Sequence, residues 1–291
     1  MDDDAVNPSA PRPMPDDSAD GALPAAQYLP PERVLAEMAE ANARRTRALS
    51  VWQIAVLSTM AGGFITVGAL FSVLLAAGSH SEGVTRLLEG FGFSTGFFLV
   101  VLSGAVLFTE ANVEVPATLL ARDSRQVRSA VLRLWVLAAA GNLLGAFVVG
   151  RLVAYTMDYG PEYERVLGEL VELKMRYRTI GGVDGVARAV VSGIVANWLV
   201  GMAAFLATMG RTIIGKYIPV LVVVSAFVAG GFLHSPANMA YFSLIQPLGD
   251  GPGWGAALAW GIAPAAVGNI IGAVVLVALP FWYGTGRTPR R

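Results

Sequence analysis

The chain contains no cysteine in 291 residues. Disulfides, thiolate nucleophiles, cysteine zinc sites and iron–sulfur clusters are therefore excluded. Histidine is almost as scarce: only His80 and His234 are present. Two histidines cannot build a multi-histidine metal site on their own, and no cofactor is expected. Lysine occurs only at positions 174 and 216. Charge as a whole is low, at 14% of residues, against about 25% in soluble domains. The 21 acidic and 21 basic residues cancel, so net charge gives no basis for a nucleic-acid partner, and none is expected. No nucleophile–base constellation stands out, so the chain does not read as an enzyme.

What is abundant is hydrocarbon. Hydrophobic residues make up 55% of the chain and the mean hydropathy is +0.57. The missing charge is removed from windows of roughly 20 residues, the length that crosses about 30 Å of bilayer core. Apolar runs fall at about 51–77, 87–121, 129–153, 188–209, 216–247 and 256–283. The second and fifth are too long for one straight helix, and polar residues interrupt both. The expected fold is an all-α membrane protein with six transmembrane helices, of which helices two and five are broken.

The flanks divide the chain further. Residues 1–30 are acidic and proline-rich without an apolar core, which predicts a disordered tail rather than a signal peptide. Residues 31–50 begin with proline and carry Val34, Leu35 and Met38, which suits a short amphipathic helix at the cytoplasmic surface. A polar linker helix fits those residues equally. The first three-helix unit spans 51–153, an extracytoplasmic connection 154–187 and the second unit 188–283. A basic tail, 284–291, follows. The connection contains "YERVLGELVELKMRYR", helical in pattern, either an extension of the third span or a surface helix. Arg44, Arg45 and Arg47, then Arg122, Arg125 and Arg128, then Arg211 and Lys216, then Arg287, Arg290 and Arg291 all fall on one side of a six-span chain. That side is cytoplasmic by the positive-inside rule. A multi-pass protein of the inner or plasma membrane, with both termini cytoplasmic, is expected.

The chain also repeats itself. "GNLLGAFVVG" starts at Gly141 and "GNIIGAVVLV" at Gly268. Each follows a break, at Leu107–Thr109 and His234–Asn238. An odd number of spans per unit requires the two units to insert with opposite orientation: a 3+3 inverted repeat. Such repeats place the substrate site near the midplane, between the broken helices. At "HSPAN", Pro236 cannot continue the ladder of an incoming helix, and Ser235 or Asn238 can cap a restarting one. Thr109 and Asn112 can serve likewise in the first break. The half-helix N-termini favour an anion. Glu110 and Glu114 lie in the first turns of the first half-helix, where they are either stabilised by its dipole or simply solvated. His234 is the only ionisable group in its own and the following span, which makes it a functional candidate able to exchange a proton with a weak acid. A neutral histidine holding the break together is the plainer reading. Phe93, Phe97, Phe108 and Phe227 lie near the breaks, where composition alone favours packing.

"GFLHSPANM", "GIVANWLVGMAAFLA", "PAAVGNIIGAVV" and "GFSTGFFLVVLSGAVLFT" together resemble the formate/nitrite transporter family over about residues 30–285. The resemblance implies an aquaporin-like inverted repeat and a homopentamer with a pore in each protomer. It implies small monovalent anions such as formate, nitrite or hydrosulfide, or their conjugate acids, passing often with a proton. His234 resembles the central pore histidine and Asn238 its polar neighbour. Leu107, Phe108 and Thr109 correspond to the loop that breaks the second span, and Thr109 to a threonine that bonds the histidine or substrate. Phe93, Phe97, Phe227 and Val200 fall where the pore narrows, and Asn197 and Asn269 match polar residues of the repeat. The chain departs from the family at Val106 and Leu233, where many members carry an acidic residue, and near Gly181, where most carry a lysine.

The leading expectation is therefore a channel or proton-linked transporter for a small monovalent anion. Bare charge in low dielectric costs several kcal/mol or more, so the neutral acid crosses an apolar constriction most cheaply. The alternatives are a pore for water or another small neutral solute, or a non-conducting membrane subunit.

Overall fold

The computed structural model describes residues 28–121 and 125–285. Most of the acidic tail and of the basic C-terminal tail, together with Arg122, lies outside them. The described residues form helices, with one isolated antiparallel bridge between Tyr28 and Gly210. In chain order the helices are α1 Pro31–Ala48, α2 Val51–Ala76, α3 Glu82–Ser103, α4 Phe108–Ala121, α5 Arg125–Thr156, α6 Pro161–Ile180, α7 Gly182–Met209, α8 Ile213–Ala229 and α9 Ser235–Ile245. A last helical run, α10, covers Trp254–Gly284.

Among the described residues, five helices are long and apolar enough to cross a membrane: α2, α3, the Val127–Thr156 part of α5, α7 and α10. Helix α8 is apolar but shorter, at 17 residues. The chain is a multi-pass membrane protein. In hydrocarbon there is no hydrophobic drive between helices, so contact depends on close backbone approach. Gly62 of α2 lies against the Asn142 backbone of α5, and Gly268 of α10 against the Val190 carbonyl of α7. A Cβ at either place would overlap backbone atoms.

Helix α10 holds two π-helical segments, Ala257–Ile262 and Val274–Ala278. Each ends two residues before a proline, Pro264 or Pro280, whose missing N–H disturbs the ladder. Within the first of these segments the Gly261 carbonyl accepts from the Asn238 side chain at 2.7 Å.

The two lead-in helices cover opposite ends of the bundle. Helix α1 buries Val34, Leu35 and Met38 and packs on α4 and α7. Its apolar face meets protein, and Leu29 N–H donates to the Met209 carbonyl beside it at 2.7 Å. The connection contains a separate helix, α6, set off from α5 by Gly160 at φ 78°. One face of α6 buries Tyr163, Leu167, Leu170, Lys174 and Tyr177, and it packs on α7 and α9.

Both helix breaks lie upstream of where the sequence placed them. The first is Gly104–Leu107, and Phe108 and Thr109 already belong to α4. The second is Gly230–His234, and Ser235, Pro236 and Asn238 belong to α9. Left-handed glycines turn the chain, Gly104 at φ 67° and Gly231 at φ 66°. Pro236 does not stop the incoming helix. It occupies the first turn of α9, where its missing N–H has no helical partner to lose.

Candidate functional site

The two breaks are held by the same device. In the first, Asn142 of α5 accepts from Phe108 N–H at 2.9 Å and donates to the carbonyls of Val106 at 3.0 Å and Ser58 at 2.8 Å. In the second, Asn269 of α10 accepts from Ser235 N–H at 2.8 Å and donates to the carbonyls of Leu233 at 3.1 Å and Gly193 at 2.9 Å. One carboxamide thus satisfies the groups that a break leaves open, as hydrocarbon requires. The loop N–H groups match too: Val106 donates to Leu57 O at 3.3 Å and Leu233 to Ser192 Oγ at 3.0 Å. Even the left-handed glycines match. Gly104 O accepts from Arg45 of α1 at 3.4 Å, and Gly231 O from Arg176 of α6 at 3.2 Å.

Asn197 joins the two breaks. Its amide donates to Asn269 O at 2.7 Å and to Thr109 O at 3.3 Å. Asn197 and Asn269, both anticipated as pore residues, therefore spend their bonds largely on the frame. Asn142 was visible only as part of the Gly-Asn repeat, and its clamp role was missed.

His234 caps α9. Its Nδ1 accepts from Ala237 N–H at 3.4 Å, so neither Ser235 nor Asn238 is the cap. Ser235 Oγ donates to Asn269 at 2.9 Å, and Asn238 is tied to Gly261. With Nδ1 accepting, the neutral ring carries its proton on Nε2. Nε2 is buried and has no protein partner. Thr109 Oγ1, both side-chain polar atoms of Asn112, Asn197 Oδ1 and Asn238 Oδ1 are likewise buried without a protein partner. Buried polar atoms in folded proteins nearly always meet a partner, often water. These atoms gather around the two breaks of an otherwise apolar bundle.

Aromatic rings pack beside His234. Phe93 meets Phe227 edge-on with centroids 5.8 Å apart and stacks on Tyr241 at 5.9 Å. Phe227 lies 5.1 Å from the His234 ring. Tyr241 was not anticipated; its hydroxyl is 3.1 Å from Ser72 Oγ. Phe97, Leu107 and Val200 are buried in the same apolar cluster. Phe108 is not: it packs in a second cluster with Ile54, Val115 and Leu134.

A lysine, Lys174, lies two turns before Gly181. Lys174 of α6 is only 2% exposed, and its ammonium donates to Phe232 O at 2.9 Å, two residues before His234. Burial, with Arg176 adding to it, pulls its pKa down to about 7. At the other end, Arg45 stands 3.5 Å from Glu114. Glu114 is buried, so it is paired rather than solvated.

The formate/nitrite transporter family profile matches residues 32–283. A probable formate transporter of Methanothermobacter thermautotrophicus is 31% identical over 246 residues, covering 79% of this chain and 88% of that one. The formate channel FocA of Escherichia coli K12 is 27% identical over 249 residues, covering 78% and 84%. The fold is shared with an FNT family ion channel (TM-score 0.71, 23% identity, 87% of this chain and 99% of that one). It is also shared with a structure described as a pentameric formate channel with formate bound (TM-score 0.66, 24% identity, 80% and 96%). With the profile matching nearly the whole described chain, the protein belongs to the formate/nitrite transporter family.

Proposed function

We propose that the protein is a channel or proton-linked transporter for a small monovalent anion of the formate class. The observation that carries this is the set of buried, unpartnered polar atoms at two clamped breaks, with His234 Nε2 beside an aromatic constriction. His234 acts as a neutral hydrogen-bond donor, because protonating Nδ1 would forfeit its cap on α9. Thr109, Asn112 and Asn238 supply the remaining polar groups, and Phe93, Phe227 and Tyr241 exclude bulk water. Lys174, charged below about pH 7, draws the anion to the mouth. The acid then passes the rings as the neutral species, avoiding the cost of bare charge in low dielectric.

The matched Asn142 and Asn269 clamps support a six-span 3+3 inverted repeat, in which α3–α4 and α8–α9 each count as one broken span. The distribution of positive residues supports a cytoplasmic location for both termini. The pentameric assembly of the related formate channel supports a homopentamer with one pore per protomer. Exposed apolar residues such as Leu132, Val136, Val191 and Val267 suit lipid or neighbouring protomers. The test is formate and nitrite flux into proteoliposomes across a range of outer pH. Flux above empty vesicles that collapses in His234→Ala is expected. Flux equal to empty vesicles would reject the proposal, and swelling without anion flux would favour a neutral-solute pore.

A further inference from the structure

A second acidic group sits above the constriction. Glu89 lies on α3 one turn before Phe93, is 4% exposed, and has an Oε2 without a protein partner. It lines a cavity of about 390 Å³ with His80, Arg86, Arg165, Glu169 and Leu173. Leu173 and Arg86 also line the adjoining mouth of about 510 Å³ that ends at Gly230 and Gly231. Glu89 therefore stands between an outer cavity and the ring closed by Phe93, Phe227 and Tyr241.

A buried carboxyl group with a free oxygen is costly to keep without a use. The charged and titratable groups that face it are known. Arg86 is on its own helix, Lys174, Glu169 and Arg165 come from α6, Tyr241 from α9 and His80 from the loop before α3. No ion pair closes on it: Arg86 is turned to Glu82 at 3.8 Å, and Lys174 Nζ is bonded to Phe232 O. An acid that lines the cavity and a buried ammonium behind it are thus coupled electrostatically but do not neutralise each other by contact.

We propose that Glu89 is the proton donor of the outer mouth, working with Lys174 as an acid–ammonium pair on an incoming weak-acid anion. The proposal rests on the transport function above. Lys174 holds the anion, and protonated Glu89 transfers its proton to the anion oxygen. This leaves a Glu89 carboxylate and a neutral acid, which passes the rings toward His234. Outer water reprotonates Glu89, so one proton from that side accompanies each anion. Lys174 gives up no proton in this step.

The test is initial formate uptake by the full-length protein in proteoliposomes, at outer pH 5 to 8, for the unaltered protein, Glu89→Gln and Glu89→Asp. Glu89→Gln keeps shape but cannot give up a proton. Its uptake at neutral pH is expected to fall about a hundredfold, the low end for a positioned acid. The deficit should shrink as outer pH falls, because bulk water then supplies the protonated substrate. Glu89→Asp should keep the pH profile of the unaltered protein at reduced rate, and it preserves the test if the glutamine variant fails to assemble. An equal deficit at every pH in Glu89→Gln would mean a structural role and overturn the proposal, as would unchanged uptake in Glu89→Gln or a Glu89→Asp pH profile that departs from that of the unaltered protein. If the unaltered protein takes up no formate, the transport function itself fails and this proposal with it, a result distinct from any Glu89 phenotype.

Discussion

The first and second breaks share a frame and differ in what they present. Each turns on a left-handed glycine whose carbonyl accepts from an arginine. Each is clamped by an asparagine that takes the N–H one residue past the loop end and gives to the carbonyl of the next-to-last loop residue. In that register Leu107 of the first break stands where His234 stands in the second. Both are buried, but one offers methyl groups and the other a free Nε2. The neighbours differ as well. A buried cation, Lys174, serves the second break, whereas Arg45 at the first is engaged with Glu114. A duplicated scaffold solves the backbone problem twice. The free imidazole nitrogen is present at only one of the two.

The sharpest way to break the comparison is to remove the clamps. Asn269→Ala strips partners from Ser235, Leu233 and Gly193, and Asn142→Ala from Phe108, Val106 and Ser58. Each orphaned buried group costs about 1–3 kcal/mol, so both variants are expected to lose about 3 kcal/mol or more in thermal or denaturant unfolding in detergent. A mild loss in only one would show that the clamps are not equivalent. Exchanging the occupants tests function instead. His234→Leu should cut formate uptake at least about tenfold while losing only the cap, about 1 kcal/mol. Leu107→Val should keep uptake and its pH profile and cost about 1 kcal/mol.

Smaller effects come from the glycines. Gly104→Ala meets no neighbour and should cost only the left-handed strain, about 1 kcal/mol. Gly231→Ala should cost more, since its Cβ would meet Leu173 at 3.0 Å; melting temperatures of the two variants compare them directly. The smallest effect is a few-fold one in rate. Lys174 is charged below about pH 7 and neutral above it, so its share of anion capture fades as outer pH rises through that value. Lys174→Arg, which stays charged, should flatten that alkaline decline in uptake.

Length and composition made the spans readable, because a bilayer imposes a crude and uniform demand on about 20 residues at a time. The breaks were readable as polar residues in apolar runs, but their positions were misjudged by a few residues in the same direction. Serine, proline and asparagine mark where a helix restarts, whereas the glycine that ends the previous one carries no polar signal. His234 stood out by rarity. Its role as the cap did not, since capping by imidazole is unusual beside a serine. Asn142 was hidden because a repeat shows that two residues correspond without showing what they bond. A lysine was looked for near Gly181, and Lys174, given no role in the sequence, is delivered to the second break by the separate helix α6. Tyr241 and Glu89 owe their places to packing between helices distant in sequence, which no local pattern reports.

The bridge from Thr109 through Asn197 to Asn269 has a mechanical consequence. It ties the backbone of one break to the residue that clamps the other, so the centre of the molecule behaves as a single strut. A strut cannot serve as a hinge. Opening and closing is then left to the ends, where α1 and α6 rest on the bundle through apolar faces and reach the two breaks through Arg45, Lys174 and Arg176.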